Sequence, residues 1–211
     1  MTQESDLGIK AMEKVSIGLR AKTARAIAVV MAGPVDAPRV LKRTELILAD
    51  PRAPATSYPY HEVMELPWAQ AQIAVQETLK LIEVIATTAL TNLAREIEAD
   101  GLKIGRVGIV GAGDRDLDKL GSAHIRAHAA EGVWFRRVLE LATEACGLPK
   151  RTFDERRLNE TAAVELRHST TELATMLTDL GASVGRPWRA DEKAAAVAAW
   201  LALSSKERSK R

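Results

Sequence analysis

The stretch "VSIGLRAKTARAIAVV", residues 15–30, decides the fold. Val, Ile and Ala recur on either side of a short basic turn, with Arg20, Lys22 and Arg25 in or beside it. β-Branched residues suit a pleated, half-buried surface, and two such runs across a tight turn read as a hairpin. Residues 15–20 and 26–31 are therefore expected as paired strands. "GPVDAP" at 33–38 is a turn. Beyond it, 39–49 alternates in part: Val40, Lys42, Thr44 and Leu46 share one face, Leu41, Glu45 and Ile47 the other. Side chains alternate across a strand, so a third strand completes an antiparallel meander.

Outward from the meander the period changes. A proline-rich loop at 51–67 precedes Val75, Leu79, Ile82, Ala86, Leu90, Leu93 and Ile97, which step by three and four and predict one long amphipathic helix. Gly101 suits the position just past its end. "KIGRVGIVGAG" (103–113) is a strand running out into glycines, and 120–149 holds a second helix stopped by Gly147 and Pro149. Residues 151–159 read as a fifth strand. The stretches 160–181 and 190–203 are helical, with a break at "GASVGRPW". A mobile arm (1–14), one domain (15–203) and a basic tail (204–211) are the expected divisions.

Composition bounds the function. The chain has 211 residues, 46% apolar, 27% charged and only 4% aromatic, so its core is aliphatic and alanine-rich. A net charge of +2 permits an anionic partner without demanding one. One cysteine, Cys146, excludes an internal disulfide and a multi-cysteine metal site, and its helix-end position reads as a small buried hydrophobe. The charged start has no signal-peptide core, and no apolar run approaches the roughly 18 residues a membrane span needs. A cytoplasmic protein is expected.

The order β-β-β-α-β-α-β-α resembles the ribonuclease H-like fold. "IGLRAKTARAIAVV" is similar to that family's opening hairpin, whose first strand ends on a catalytic Asp. "ADEKAAAVAAWLAL" is similar to the acid-bearing, alanine-rich last helix of the Holliday-junction resolvase branch. The resemblance implies an α/β domain whose mixed five-stranded sheet, an antiparallel meander plus parallel strands, is flanked by helices. It also implies phosphodiester hydrolysis through two Mg or Mn ions held by carboxylates. Arg20 stands at the first acid's position, and a guanidinium neither ligates such an ion nor deprotonates near neutrality. A register shifted by a residue or two would instead leave Arg20 on an exposed strand face.

Several constellations compete. "VGAGDRDLDK" sets Asp114, Asp116 and Asp118 past a strand's carboxyl end, where open α/β sheets bind ligands. The resemblance carries its acid onto Asp114, with Asp116 as a further Mg or Mn ligand. The alternative is a solvated helix-start cluster. The glycines here fall short of a dinucleotide fingerprint. "HIRAHAAE" sets His124, His128 and Glu131 on one helix face, a spacing that could hold a transition metal or simply face solvent. "YHEVMELPW" clusters Tyr60, His61, Glu62, Glu65 and Trp68 on the long loop, as helix-entry chemistry or as a site. Arg151, Arg156, Arg157, Arg167 and His168 are interleaved with acids, which favours a salt-bridged surface over a nucleic-acid groove. Trp134, Trp188 and Trp200 sit among apolar helix positions and read as core.

Three functions follow, in order. The first is a ribonuclease H-like domain with a degenerate metal site that binds nucleic acid or a protein partner, Arg20, Lys22 and Arg25 gripping phosphates. The second is an active nuclease whose acids have moved, drawn from Asp50, Glu65, Asp114, Asp116 and Asp191, with Mg or Mn as cofactor. The third is an assembly subunit whose Val75–Ile97 seam pairs with another copy as a homodimer.

Overall fold

The computed structural model describes residues 12–205, so 1–11 of the expected arm and 206–211 of the expected tail lie outside the described residues. The opening hairpin is β1 (Glu13–Lys22) and β2 (Arg25–Ala32), and β3 (Arg39–Ile47) completes the meander. The strand thus takes up Glu13 and Lys14 of the expected arm. Helix α1 (Trp68–Ala74) and the long α2 (Gln76–Ala99) lead to β4 (Leu102–Gly111), α3 (Ala123–Ala145) and β5 (Lys150–Asp154). Helices α4 (Leu158–Leu166), α5 (Thr170–Val184) and α6 (Ala190–Ser204) follow. The sheet order is β3-β2-β1-β4-β5. β1 pairs antiparallel with β2 and parallel with β4, and β4 pairs parallel with β5. None of the described helices is long and apolar enough to cross a membrane.

Helices cover both faces, as a sheet with buried central strands requires. On one face the odd residues of β1, Val15, Ile17 and Leu19, pack with α2 and α3. All seven seam residues from Val75 to Ile97 are buried in that layer. The seam is therefore consumed by the chain's own core and is not free to zip onto a second copy, which corrects the expected route to a homodimer. Thr91 Oγ1 lies 3.4 Å from Cys146 Sγ at the edge of the same layer.

The opposite face is set by α6, whose residues from Ala195 to Ala202 are all buried. The even residues of β1 meet it: Ser16 donates to the Ala199 carbonyl at 2.7 Å, Gly18 follows, then Arg20. A Cβ on Gly18 would stand 1.8 Å from the Ala195 carbonyl oxygen, and one on Gly108 would stand 2.1 Å from that of Ala198. Two glycines on neighbouring strands thus let an alanine-faced helix lie almost on the sheet backbone. Trp200 is fully buried and donates to the Val35 carbonyl at 2.8 Å, whereas Trp134 and Trp188 are only partly buried.

The fifth strand stops at Asp154, well short of residue 159. The Asp154 carboxylate accepts the Arg156 backbone N–H at 2.9 Å and turns the chain into a short 3-10 helix, a local bond that competes with the ladder.

Candidate functional site

Two groups of ionisable side chains stand out, one in each layer. The first lies at the carboxyl end of β1. Arg20 sits opposite Ile27 and Val110 on the face covered by α6, and it is 6% exposed. Of the two registers open in the sequence, the structure has the inward one. Its guanidinium bonds to Glu155 through Nη2 and to Asp191 through Nε at 3.3 Å. Lys22 Nζ adds a contact to Asp191 at 3.4 Å. Asp191 is in the first turn of α6, so the depth of that helix on Gly18 and Gly108 brings its carboxylate to the strand. Arg25, beyond the turn, is half exposed and 3.8 Å from Glu45.

Two of the acids after β4 are likewise paired. Asp114 bonds to Arg136, and Asp116 to Lys119 at 2.8 Å. Arg136 also bonds at 2.5 Å to Glu140, a buried acid that Arg137 and Thr152 reach at 2.9 and 3.0 Å. Asp50 bonds to Arg52, which holds its carboxyl below the usual range. Glu65 is exposed in the loop, and the helix start at Pro67 has no side-chain cap, so Glu65 is not the entry cap its position suggests. Among the described residues, Asp50, Glu65, Asp114, Asp116 and Asp191 form no group of three with converging ligand atoms.

The two-ion arrangement implied by the ribonuclease H-like resemblance does not fit these residues. Hard divalent cations need several oxygens from different elements around one open point. Here that point is filled by a guanidinium whose own charge satisfies the acids, and Asp114 is committed to another arginine.

The second group sits where the loop at 48–67 meets α3. Thr56 is buried and ties the loop to itself, taking the Asp50 N–H at 2.9 Å and donating to the Ala53 carbonyl at 2.7 Å. Tyr60 packs against the core layer with its ring 5.5 Å from Trp68, and Arg126 of α3 lies 5.6 Å over the Trp68 ring. Ser122 caps α3 by accepting the Ile125 N–H, which sets the first turn that presents His124 and His128.

Between these anchors His61 comes down onto α3. Its Nδ1 is 2.8 Å from Glu131 Oε1, and its backbone N–H donates to the same oxygen at 3.3 Å. Glu131 is fully buried. Burial and the Glu131 charge together push the Tyr60 hydroxyl above its ordinary pKa. The ring of His61 lies 5.1 Å from His124 and 4.3 Å from His128, whose own Nε2 atoms are 3.2 Å apart. Ligand nitrogens of His61, His124 and His128 all lie within 4.8 Å of one another, the only such group of three among the described residues. The expected trio of His124, His128 and Glu131 is thereby altered: Glu131 turns inward to orient a ring, and His61 takes the third place. Sequence spacing could not pair His61 with a helix that begins some sixty residues later, although the histidine on a long loop was a visible signal.

No protein-family model matches the chain. No curated protein matches it either. Among solved structures it is similar to the Thermus thermophilus RuvC structure, at 14% identity and a TM-score of 0.50 over 89% of this chain and 92% of that one. It is also similar to T. thermophilus RuvC in complex with Holliday junction substrate, at 12% identity and a TM-score of 0.50 over 89% and 91%. At these identities the likeness is one of fold, and it agrees with the sheet order: the domain has a ribonuclease H-like fold.

Proposed function

We propose that this chain is a nucleic-acid-binding ribonuclease H-like domain that does not hydrolyse its ligand by two-metal chemistry. The observation that carries the reading is Arg20, buried between Asp191 and Glu155 at the strand end the family uses for its ions. A fixed internal cation there keeps the acids together without metal and removes the Lewis acid that hydrolysis needs. The likeness to a protein seen with Holliday junction substrate supports nucleic acid as the ligand.

The phosphate contacts fall to the outer cations of the hairpin. Arg20 has both carboxylates to satisfy and little exposure, so it holds the corner instead of gripping a ligand. Lys22 and Arg25 border an open cleft with Ser57 and the half-exposed Tyr58. Two cations, a hydroxyl and an aromatic face are groups that hold a nucleotide backbone and stack a base.

The test is a gel assay on labelled four-way junction, duplex DNA and RNA, with Mn²⁺ or EDTA, over a salt series. Binding that weakens steeply with salt, no cleavage under either condition, and weaker binding by a Lys22→Ala, Arg25→Ala double variant are the expected results. Cleavage dependent on Mn²⁺ would overturn the non-hydrolytic reading. Failure to bind any of the three at low salt would overturn the nucleic-acid reading.

A further inference from the structure

We propose that His61, His124 and His128 form a transition-metal site that takes one zinc-class divalent cation through three imidazole nitrogens, the fourth position facing solvent. The site is separate from the Arg20 corner.

The tautomer of His61 carries the argument. Glu131 Oε1 accepts the His61 backbone N–H, so it acts as an acceptor, and Nδ1 of the ring donates to it. That leaves Nε2 with a bare lone pair. Nε2 is buried, has no hydrogen-bond partner among the described residues, and belongs to the ring that faces His124 and His128. A carboxylate fixing one ring nitrogen while the other is left to ligate is the arrangement that supports metal-bound histidines.

Spacing agrees. Two nitrogens bound to one tetrahedral ion at Zn–N distances of about 2.0–2.1 Å are about 3.3 Å apart. The Nε2 atoms of His124 and His128 are separated by 3.2 Å. Their i, i+4 placement on α3 stacks them one turn apart. Charge agrees as well: the second oxygen of the fully buried Glu131 has no hydrogen-bond partner among the described residues, and a dication beside His61 would compensate the buried acid. Three nitrogen donors select zinc, cobalt, nickel or copper over magnesium or calcium, which prefer oxygen. The ion would link the loop to α3, Glu131 serving as a positioning residue.

The test strips metal from the full chain with chelator, removes the chelator, and titrates with ZnCl₂ by calorimetry, with MgCl₂ as control. One Zn²⁺ per chain and no heat with Mg²⁺ are expected. CoCl₂ should give the intense visible absorption of a low-coordinate nitrogen site. His128→Ala and His124→Ala, both at exposed positions, should each weaken Zn²⁺ by about 100-fold or more with unchanged circular dichroism, and Glu131→Gln by about 10–100-fold. His168→Ala removes the remaining histidine and should leave affinity unchanged. Substoichiometric uptake by wild type, or wild-type Zn²⁺ affinity in His124→Ala or His128→Ala, would overturn the proposal.

Discussion

The corner at Arg20 and the cluster at His61 occupy opposite layers of one sheet and solve opposite problems. At the corner, positive and negative groups cancel one another: Arg20 meets Asp191 and Glu155, and Lys22 meets Asp191. At the cluster, three imidazoles converge and one ring nitrogen, His61 Nε2, has no hydrogen-bond partner among the described residues. Counting titratable groups would rank the corner first. What distinguishes a receptive site is an unmet demand, and the demand lies with the histidines.

The comparison breaks most severely at Gly18. A Gly18→Val side chain must displace the Ala195 carbonyl, lifting α6 and Asp191 away from Arg20. A loss on the order of 3–5 kcal/mol is expected in urea denaturation. A loss below about 1 kcal/mol would show that the helix does not depend on this close seat.

Zinc sharpens the contrast from the other side. At a free concentration about 100 times its dissociation constant, a native-state ligand adds about 2.7 kcal/mol. The melting temperature of wild type should rise accordingly with ZnCl₂ and that of His128→Ala should not. Equal shifts would place the stabilising ion elsewhere.

Removing the internal cation comes next. Arg20→Ala leaves two acids without their shared partner, and both are partly exposed, so water offsets much of the cost. About 1–3 kcal/mol is expected, less than for a fully buried pair. The more telling variant is Arg20→Asp, which places a third carboxylate at the corner. Its melting temperature should rise with millimolar Mn²⁺ while that of wild type stays put. No response in the variant would mean that these acids cannot gather around an ion.

The smallest effect belongs to a surface pair that serves as a reference. Arg151 donates to both oxygens of Glu165 at 2.8 Å, which holds that carboxyl below its ordinary pKa. A depressed folded-state pKa stabilises the fold above the unfolded value and loses that contribution as pH falls through the folded one. Glu165→Gln should therefore cost about 0.2–1 kcal/mol at pH 7, and the gap to wild type should narrow as pH falls below the unfolded carboxyl value of about 4.3. A gap that does not narrow as pH falls would assign the loss to packing.

The residues that alternate or repeat are legible in the sequence alone. The hairpin, the meander and the seven seam positions follow from periods of two and of 3.6 residues, because burial imposes them. What stayed hidden was contact between distant segments. Glu155 reaches Arg20 only because β5 ends early at Asp154, and that stop depends on one side-chain bond to the backbone. His61 joins His124 and His128 only because the loop folds back over α3, a path no local pattern encodes. The acids between 114 and 118 looked promising for the opposite reason: they are adjacent in the chain, while the cations that neutralise Asp114 and Asp116 are further along it.

The position of α6 in chain order has a consequence for synthesis. Its alanines complete the face of the sheet that Val29, Met31 and Val110 begin. Met31 is made long before Ser204, and at about 5–20 residues per second the interval is roughly 10–35 s. Throughout that time a growing chain carries this face of its sheet without α6. Chaperone capture during translation should therefore concentrate on this half of the domain and end abruptly once α6 is out.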